Sequence, residues 1–462
     1  MAKPASSLKV LEVCRVAPLP EAKPSAPALE TSLPLTFFDI IWLRFTPIER
    51  LFFYEYAHPP SSFFHSLLPK LKHSLSLTLR HFLPLTGNII WPPHSPKPFI
   101  RYVSGNGVSL TVAESNADFN VLSSSNFSEA EESLRFVPDL TVSDEEASIV
   151  SLQITLFPNS GFSIGITAHH ATMDGKSSTL FIKAWAYICS KLDEPLSDSS
   201  LPENLMPFYD RSVIKDSFGV AEIFSNHWSK LGGPNNRSLK FWNPKKTDQG
   251  KRTRGTFEFF PSDIQKLKKI AESKLNNKKI HVSTFSVACA YVLECLVKAE
   301  QIKEDNLLFV FAVDCRYRLD PSVPPTYFGS CVGGAKAVTE TKNLLGNDGF
   351  IAVLEALSDA LKRFEDDGLC GAETMMTEME TLMKTNLRLF STAGSPRFEV
   401  YGIDFGCGRP KKVEIVSIGE TGALSLSESK NGNGGIEIGL VLNKTEMESF
   451  AALFHKGLSS SS

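Results

Sequence analysis

Alternation of apolar and polar residues predicts a strand that ends at two adjacent histidines. Within residues 162–168, Phe, Ile, Ile and Ala alternate with Ser, Gly and Thr, and a period of two is typical of a half-buried strand. His170 closes this run, and Asp174 follows four residues later in an Asp-Gly turn. Apolar residues at helical spacing then predict a helix over 177–192. The pattern therefore places a histidine at a strand end, in a short loop before a helix.

The same patterns predict a mixed first half. Helices are expected at 61–82 and 129–136, and a hairpin turn at 105–107. Strands are expected at 10–16, 86–91, 98–103, 107–114 and 147–157.

The second half repeats this mixture after a polar stretch. From about residue 192 to 255 the composition shifts to Ser, Pro, Asp, Asn and Lys, which is typical of a long crossover rather than a packed element. Helices are then predicted from 262, over 283–298 and over 349–365. Strands are predicted at 256–260, 306–315, 396–406, 412–418, 422–429 and 435–442, and residues 327–332 are predicted to be a turn that leads into a strand. We therefore predict two α+β domains with largely antiparallel sheets, 1–200 and 251–462, joined by a crossover at 201–250.

Composition narrows the class of protein. The chain has 462 residues, 42% of them hydrophobic, which is enough to fill two large cores. A formal net charge of −3 gives no global basic field for nucleic acid or an anionic membrane. The sequence contains no run of 18 apolar residues, no signal-peptide pattern and no CxxC pair among eight cysteines. We expect a soluble, cytoplasmic protein with free thiols.

The histidine at the strand end suits general-base chemistry. A neutral imidazole can take a proton from an attacking hydroxyl, best when a second group fixes the orientation of the ring. Asp174 is a candidate for that group, or it braces the loop against an arginine elsewhere in the chain. The alternative for His170 is a core histidine beside a turn, without catalytic duty.

A second feature suits the binding of phosphate groups. Two lysines at 278–279 precede the helix predicted from Ser283, and exposed N–H groups at a helix N-terminus attract anions. The basic arm at 245–254 adds further positive charge, although all these lysines would equally suit a solvated surface. The candidate donor contacts in this segment are Lys279, His281, Ser283 and Thr284.

Several familiar active-site motifs are absent. The sequence has no Walker loop, HExxH, GxSxG elbow or GxGxxG after a strand, so a metal, a nucleophilic hydroxyl of the protein and a nicotinamide cofactor all lack candidate residues. The mechanism that remains is a single base of the protein that acts on the hydroxyl group of a bound substrate. Coenzyme A fits as the phosphate-bearing co-substrate, with no permanently bound cofactor.

Three motifs carry a resemblance to a known family. HHATMDG at 169–175, YFGSC at 327–331 and DFGCG at 404–408 resemble the signatures of the plant BAHD acyl-CoA-dependent acyltransferases, and LPLTFFD near the start extends the likeness over essentially the whole chain. The resemblance implies two similar-sized domains of the chloramphenicol-acetyltransferase type, with a channel between them and the histidine midway. It also implies exchange of a strand near the DFG motif. Asp404 is matched, either as a structural partner of an arginine or as a second catalytic residue.

The sequence departs from the family pattern at two positions. Ser330 stands where Asn is usual in YFGNC, and Cys407 replaces the tryptophan of DFGWG. The resemblance places that tryptophan near the acceptor, so Cys407 and Phe405 are predicted on the acceptor side.

Overall likeness to phenolic glucoside malonyltransferases favours malonyl-CoA as donor and a sugar hydroxyl of a flavonoid, isoflavone, anthocyanin or other phenolic glucoside as acceptor. Malonyl carries a carboxylate, which needs a cation in a dry channel. The candidates are Arg50, Lys176 and Lys183, each of which would also suit a surface. A hydroxycinnamoyl donor, a non-catalytic binding protein of the same fold and an esterase are the alternatives. We expect a monomer.

Overall fold

The computed structural model describes residues 7–20, 31–193, 200–242, 251–275, 280, 282–346, 348–367, 375–382 and 385–459. Its strands are β1 Leu8–Val16, β2 Thr31–Pro34, β3 Ile48–Glu55, β4 Asn88–Ile90, β5 Phe99–Tyr102, β6 Val108–Ser115, β7 Phe127–Glu129, β8 Glu146–Ser148, β9 Val150–Phe157, β10 Gly161–Ala168, β11 Arg252–Phe259, β12 Asn306–Asp314, β13 Val332–Glu340, β14 Leu387–Gly394, β15 Lys412–Ile415, β16 Leu424–Glu428 and β17 Ile436–Asn443.

The helices are α1 Phe37–Ile40, α2 Pro60–Ser62, α3 Leu68–Leu79, α4 Phe119–Ser124, α5 Gly175–Lys191, α6 Val220–Lys230, α7 Pro261–Lys274, α8 Thr284–Glu300, α9 Thr341–Leu345, α10 Gly349–Asp367, α11 Met375–Leu382, α12 Ile418–Thr421 and α13 Lys444–Ser459. A π-helical stretch, Phe63–Leu67, joins α2 to α3. Because of this stretch, the single helix predicted over 61–82 is divided.

The strands of the described residues form two large sheets and a small one. The first large sheet has the order β1-β6-β9-β10-β3-β15, and the second has the order β13-β12-β14-β16-β17-β11-β7. The small sheet has the order β2-β5-β4-β8. Each large sheet is mixed, with parallel pairing of β6 to β9 in the first and of β14 to β12 and β16 in the second, and antiparallel pairing elsewhere. The predicted α+β class with largely antiparallel sheets is confirmed.

Each half of the chain contributes one strand to the large sheet of the other half. β15 comes from the second half and pairs with β3 in the first sheet, whereas β7 comes from the first half and pairs with β11 in the second sheet. Arg254 of β11 is buried and donates to the carbonyls of Ile415 and Val416 at 2.9 Å, next to β15. The two exchanged strands therefore join the halves, and the linear limits 1–200, 201–250 and 251–462 stay a prediction.

The crossover contains a packed helix, contrary to the sequence interpretation. α6 buries Val220, Phe224 and Trp228 in the apolar core of the first half. Their spacing of four residues forms one apolar stripe, which the polar composition of the surrounding segment conceals. A separate apolar core lies in the second half, between its sheet and helices such as α8 and α13.

Three other local predictions are wrong. The hairpin at 105–107 does not form, because β5 pairs with β2 and β4 in the small sheet while β6 lies in the first large sheet. The helix predicted at 129–136 is a 3-10 turn, Ser133–Phe136, after β7. The strand predicted at 396–406 is two 3-10 turns, Pro396–Phe398 and Val400–Gly402, followed by a loop. None of the described helices is long and apolar enough to cross a membrane.

Candidate active site

β10 delivers the two histidines to the end of the first sheet. The strand is buried between β9 and β3 along its whole length. At its end the His169 N–H donates to the carbonyl of Ile149 at 2.8 Å, and Thr172 Oγ1 donates to the His169 carbonyl at 2.7 Å. β10 has ended at Ala168, and these two hydrogen bonds fix the backbone from which the His170 side chain projects.

The side chain of His169 is a core group. It is fully buried, and its Nδ1 accepts the Ala171 N–H at 3.2 Å. Burial, and then the neighbouring His170, lower the pKa of His169 to about 3. This histidine therefore stays neutral and braces the turn that presents His170.

His170 stacks on an aromatic residue that lies three residues after the LPLTFFD motif. The rings of Trp42 and His170 lie 4.1 Å apart and 13° from parallel. The His170 Nδ1 is buried and has no hydrogen-bond partner among the described residues. Burial lowers the pKa of His170 to about 4, although a backbone hydrogen bond and Asp174 oppose this shift. At neutral pH the ring is uncharged, which is the form that a general base requires.

The lowered pKa predicts a flat pH profile. A histidine with the ordinary pKa of about 6.5 would lose about fourfold of its neutral form between pH 8 and pH 6. With a pKa near 4, His170 stays neutral over this range, so kcat/KM should be constant. Initial rates at subsaturating substrate test this expectation. A fall of fourfold with a midpoint near pH 6.5 would show that the imidazole titrates normally.

Asp174 braces the loop. It is the N-cap of α5, and its Oδ1 accepts the Ser177 N–H at 2.8 Å. Its Oδ2 accepts the Cys331 N–H at 3.1 Å and Arg316 Nη1 at 2.8 Å. In the described residues this carboxylate makes no hydrogen bond to the His170 ring. Of the two roles left open by the sequence, these contacts support the pairing with a distant arginine.

Arg316, which the sequence interpretation missed, connects the two halves of the chain at the site. Its Nη2 donates to Ser177 Oγ at 3.1 Å and to the carbonyls of Tyr327 and Gly329 at 3.1 and 3.2 Å. Burial opposes its charge, but the nearby carboxylates of Asp174 and Asp314 favour the charged form, and the pKa of Arg316 is raised. One buried guanidinium thus holds the HHATMDG and YFGSC motifs together.

The YFGSC loop lies directly beside the candidate base. The Ser330 N–H donates to Asp39 Oδ1 at 2.8 Å, and Ser330 Oγ lies 3.5 Å from the His170 carbonyl oxygen. Ser330, which replaces the usual asparagine, is therefore a contact of the loop that carries the base. Asp39 comes from α1, three residues before Trp42.

The DFGCG loop is held by its own aspartate. Asp404 is exposed, and its Oδ1 accepts the N–H groups of Gly406, Cys407 and Gly408 at 2.7, 3.1 and 2.9 Å. No ion pair of Asp404 with an arginine occurs within the described residues. These contacts support a structural role, formed within the loop rather than with an arginine.

The two acceptor-side candidates occupy different environments. Phe405 is buried in the first core, with its ring 4.9 Å from Trp185 and 5.7 Å from Tyr54, and its place on the acceptor side stays a prediction. Cys407 is half-buried, and burial followed by the charge of Asp404 raises the pKa of its thiol to about 12. The side chain of Cys407 therefore acts as a small neutral group.

The three candidate cations differ in their pairing. Lys183 pairs with Glu399 at 3.1 Å, and Lys176 pairs with Asp314 at 3.0 Å. Arg50 lies on β3 and is buried, and its Nη1 donates to Thr179 Oγ1 at 2.7 Å. It lines a small cavity together with Gly394, Ser395, Phe398, Val413 and Ser427.

The positive charge of Arg50 is poorly compensated. Burial lowers the pKa of this guanidinium to about 10, and Glu428 opposes the shift. Arg50 nevertheless stays protonated at neutral pH.

The predicted phosphate-binding segment is described in part. Ser283 is the N-cap of α8, where its Oγ accepts the Ser286 N–H at 3.0 Å, and Thr284 is the first helical residue. Lys279 and His281 lie outside the described residues. Of the basic arm, Arg254 is buried beside β15 and is therefore excluded as a phosphate contact.

The two large sheets are joined by exchanged strands, and a neutral histidine lies between motifs from both halves of the chain. This arrangement defines a two-domain acyltransferase of the chloramphenicol-acetyltransferase type. The crystal structure of vinorine synthase has this fold and superposes with a TM-score of 0.67 at 20% identity, covering 98% of each chain. The model of the Transferase family matches residues 21–456.

Two Arabidopsis thaliana relatives extend the likeness. Phenolic glucoside malonyltransferase 1 is 40% identical over 472 residues, which cover 98% of each chain. Malonyl-CoA:anthocyanidin 5-O-glucoside-6''-O-malonyltransferase is 40% identical over 467 residues, covering 98% of this chain and 99% of the relative. The chain belongs to the BAHD family of acyl-CoA-dependent acyltransferases.

Proposed function

We propose that this enzyme transfers a malonyl group from malonyl-CoA to a sugar hydroxyl of a phenolic glucoside. The observation that carries the proposal is the neutral His170, stacked on Trp42 between motifs from both halves of the chain. Relatives that cover the whole chain and are named as malonyltransferases of phenolic and anthocyanidin glucosides support the substrates. A flavonoid or isoflavone glucoside is the acceptor that we infer.

The reaction needs one base and no protein nucleophile. His170 takes the proton of the sugar hydroxyl while the hydroxyl oxygen attacks the thioester carbonyl carbon. The tetrahedral intermediate collapses by breaking its C–S bond, and the CoA sulfur takes the proton from the imidazolium. Stacking on Trp42 keeps the imidazole in one plane through both proton transfers.

Donor binding would use two separate groups of residues. The N-terminus of α8, with Ser283 and Thr284, carries N–H groups that suit the CoA phosphates, and Lys279 and His281 adjoin it in sequence. Arg50 is the cation that best suits the malonyl carboxylate, because Lys176 and Lys183 already pair with acids. Its buried guanidinium faces a cavity, where a charged hydrogen bond is strong.

A panel of substrates tests the proposal. The purified enzyme would be incubated with malonyl-, acetyl- and p-coumaroyl-CoA and with flavonoid, isoflavone and anthocyanidin glucosides, and products would be identified by mass. Malonylated glucosides formed at the highest kcat/KM are the expected result. Preferred transfer of p-coumaroyl would refute the malonyl assignment, and hydrolysis of acyl-CoA without an acylated product would indicate an esterase.

Cys407 should influence the acceptor more than the donor. Replacing Cys407 by tryptophan fills space beside the DFGCG loop, so kcat/KM ratios between bulky and small glucosides should change by about 10-fold or more. The KM for malonyl-CoA should stay within about twofold. Cys407→Ser is the matched control, since it keeps the side chain small. Equal effects of Cys407→Trp on donor and acceptor kinetics would contradict an acceptor-side position.

The remaining parts of the proposal concern the state of the enzyme. We infer a cytoplasmic monomer that binds its acyl-CoA only as co-substrate. Size-exclusion chromatography with light scattering would report the mass directly, and a dimer would contradict this inference.

A further inference from the structure

The crossover runs alongside the YFGSC loop. The Phe208 N–H donates to the Thr326 carbonyl at 3.0 Å, and the Phe328 N–H donates to the Phe208 carbonyl at 2.9 Å. The rings of Tyr209 and Phe328 lie 5.6 Å apart. This part of the crossover is therefore fixed to the loop that contacts His170.

The crossover also holds the segment that contains Trp42. The guanidinium of Arg44 donates to the carbonyls of Ser238, Leu231 and Asn236 at 2.8, 3.2 and 2.9 Å. Trp228 Nε1 on α6 donates to the Ile40 carbonyl at 2.8 Å. Both groups that touch His170, the indole of Trp42 and the loop at Ser330, thus rest on the crossover.

Arg211 lies in the same part of the crossover, and its guanidinium has an unusual environment. It is buried, and Nε, Nη1 and Nη2 have no hydrogen-bond partner among the described residues. Its Cζ lies 5.0 Å from the centroid of the Tyr327 ring. A Cβ atom at Gly329 would lie 1.9 Å from Arg211 Nη1, so the glycine of YFGSC makes room for this guanidinium. Burial disfavours the charge of a guanidinium without hydrogen bonds, but the charge of Asp39 opposes burial, and the pKa of Arg211 is raised.

Asp39 is the acidic group that binds the YFGSC loop next to Arg211. It is fully buried, and burial raises its pKa while the charge of Arg211 lowers it. Thr36 N–H and Thr36 Oγ1 donate to its Oδ2 at 2.8 Å, and the Ser330 N–H donates to its Oδ1 at 2.8 Å. The Arg211 charge favours the ionised carboxylate, which is the stronger acceptor for these N–H groups.

We propose that Arg211 is a positioning residue for catalysis, acting through the YFGSC loop on the backbone of His170. Arg211 packs against Tyr327 and Gly329 of this loop. The next residue, Ser330, donates its N–H to Asp39, and its Oγ contacts the His170 carbonyl. This positioning role rests on the proposed role of His170 as base. The crossover is then part of the active-site framework.

The test compares five variants of the enzyme. Arg211→Met removes the charge but keeps the length, and Arg211→Lys restores a charge. Asp39→Asn is made alone and together with Arg211→Met. Arg237→Met is the matched control, because Arg237 also lies on the crossover and stacks on an aromatic ring, Trp91 at 5.1 Å, away from His170.

Arg211→Met should lower kcat by about 10- to 100-fold, as expected for a displaced base, with the KM for the acyl-CoA within about twofold. Arg211→Lys should recover most of kcat, and the double variant should be no slower than Asp39→Asn. Arg237→Met should keep the wild-type kcat. Unchanged kcat in Arg211→Met, or strictly multiplicative losses in the double variant, would overturn the inference.

A measurement without turnover separates this inference from the proposed substrates. Proton and nitrogen resonances of the His170 imidazole, assigned with His170→Ala, report the stacking on Trp42 directly. They should shift in Arg211→Met and not in Arg237→Met. Unshifted resonances would overturn the positioning role even if the enzyme used another acyl donor, and a wild type without malonyl transfer would refute only the substrate assignment.

Discussion

Replacing His170 by alanine should lower kcat by about 10²–10⁴-fold, which corresponds to about 3–5 kcal/mol of activation free energy. The reason is that no second base contacts the position of His170 in the described residues: the oxygens of Asp174 accept hydrogen bonds from Ser177, Cys331 and Arg316. Steady-state rates with saturating donor and acceptor, together with the thermal unfolding midpoint, measure the effect.

His169 offers a matched control for this variant. In His169→Asn, Oδ1 takes the place of the Nδ1 that accepts the Ala171 N–H, so the turn keeps its hydrogen bond. We expect a lower unfolding midpoint and a kcat within about tenfold of wild type, since His169 touches no reacting group. A His170→Ala enzyme that turns over at the wild-type rate would refute the mechanism.

The strand, turn and helix around His170 could be predicted because their signals are local. Alternation over 162–168 predicts the strand that the structure shows at β10. Apolar spacing over 177–192 predicts α5, which begins two residues earlier, at Gly175, with Asp174 as its cap. Each element is specified by residues within a few positions of itself. The same locality explains the correct assignment of α8 and β12.

The rest of the site depends on contacts between distant parts of the chain. Arg316, Trp42 and Arg211 come from three segments, and no periodicity of any one segment indicates that they meet near His170. The sequence around Trp42 is densely apolar, which indicates burial but does not reveal which ring stacks on the imidazole. No sequence pattern around Arg316 indicates that its side chain pairs with Asp174.

Wrong local predictions have physical causes of the same kind. The segment 396–406 has the apolar content of a strand, yet Tyr401 is held by tertiary contacts, with its N–H donating to Glu428 at 2.7 Å and its hydroxyl donating to Glu437 at 2.7 Å. Phe405 belongs to the DFGCG motif, yet its ring fills the core beside Trp185. In both cases packing overrides the local pattern.

Replacing Arg50 by methionine should lower kcat/KM for malonyl-CoA by about 10- to 150-fold, because a charged hydrogen bond to the malonyl carboxylate contributes about 1.5–3 kcal/mol. The value for acetyl-CoA, which has no carboxylate, should fall much less. Arg50 is the candidate because its guanidinium is buried at a cavity and bonds Thr179, whereas the other two cations pair with acids. Initial rates with both donors give the ratio of kcat/KM between malonyl-CoA and acetyl-CoA, which tests the role of Arg50.

Lys176→Ala and Lys183→Ala are the matched controls, and neither should change the ratio between malonyl- and acetyl-CoA by more than about twofold, since surface ion pairs contribute little. Arg50→Lys should retain part of the preference because it keeps the charge without the planar fork. A fold defect in Arg50→Met would lower kcat/KM for both donors together, so the ratio of kcat/KM between malonyl-CoA and acetyl-CoA would stay unchanged. An unchanged ratio in a folded Arg50→Met enzyme would assign the malonyl carboxylate to another group, and a shifted ratio in Lys176→Ala would name that group.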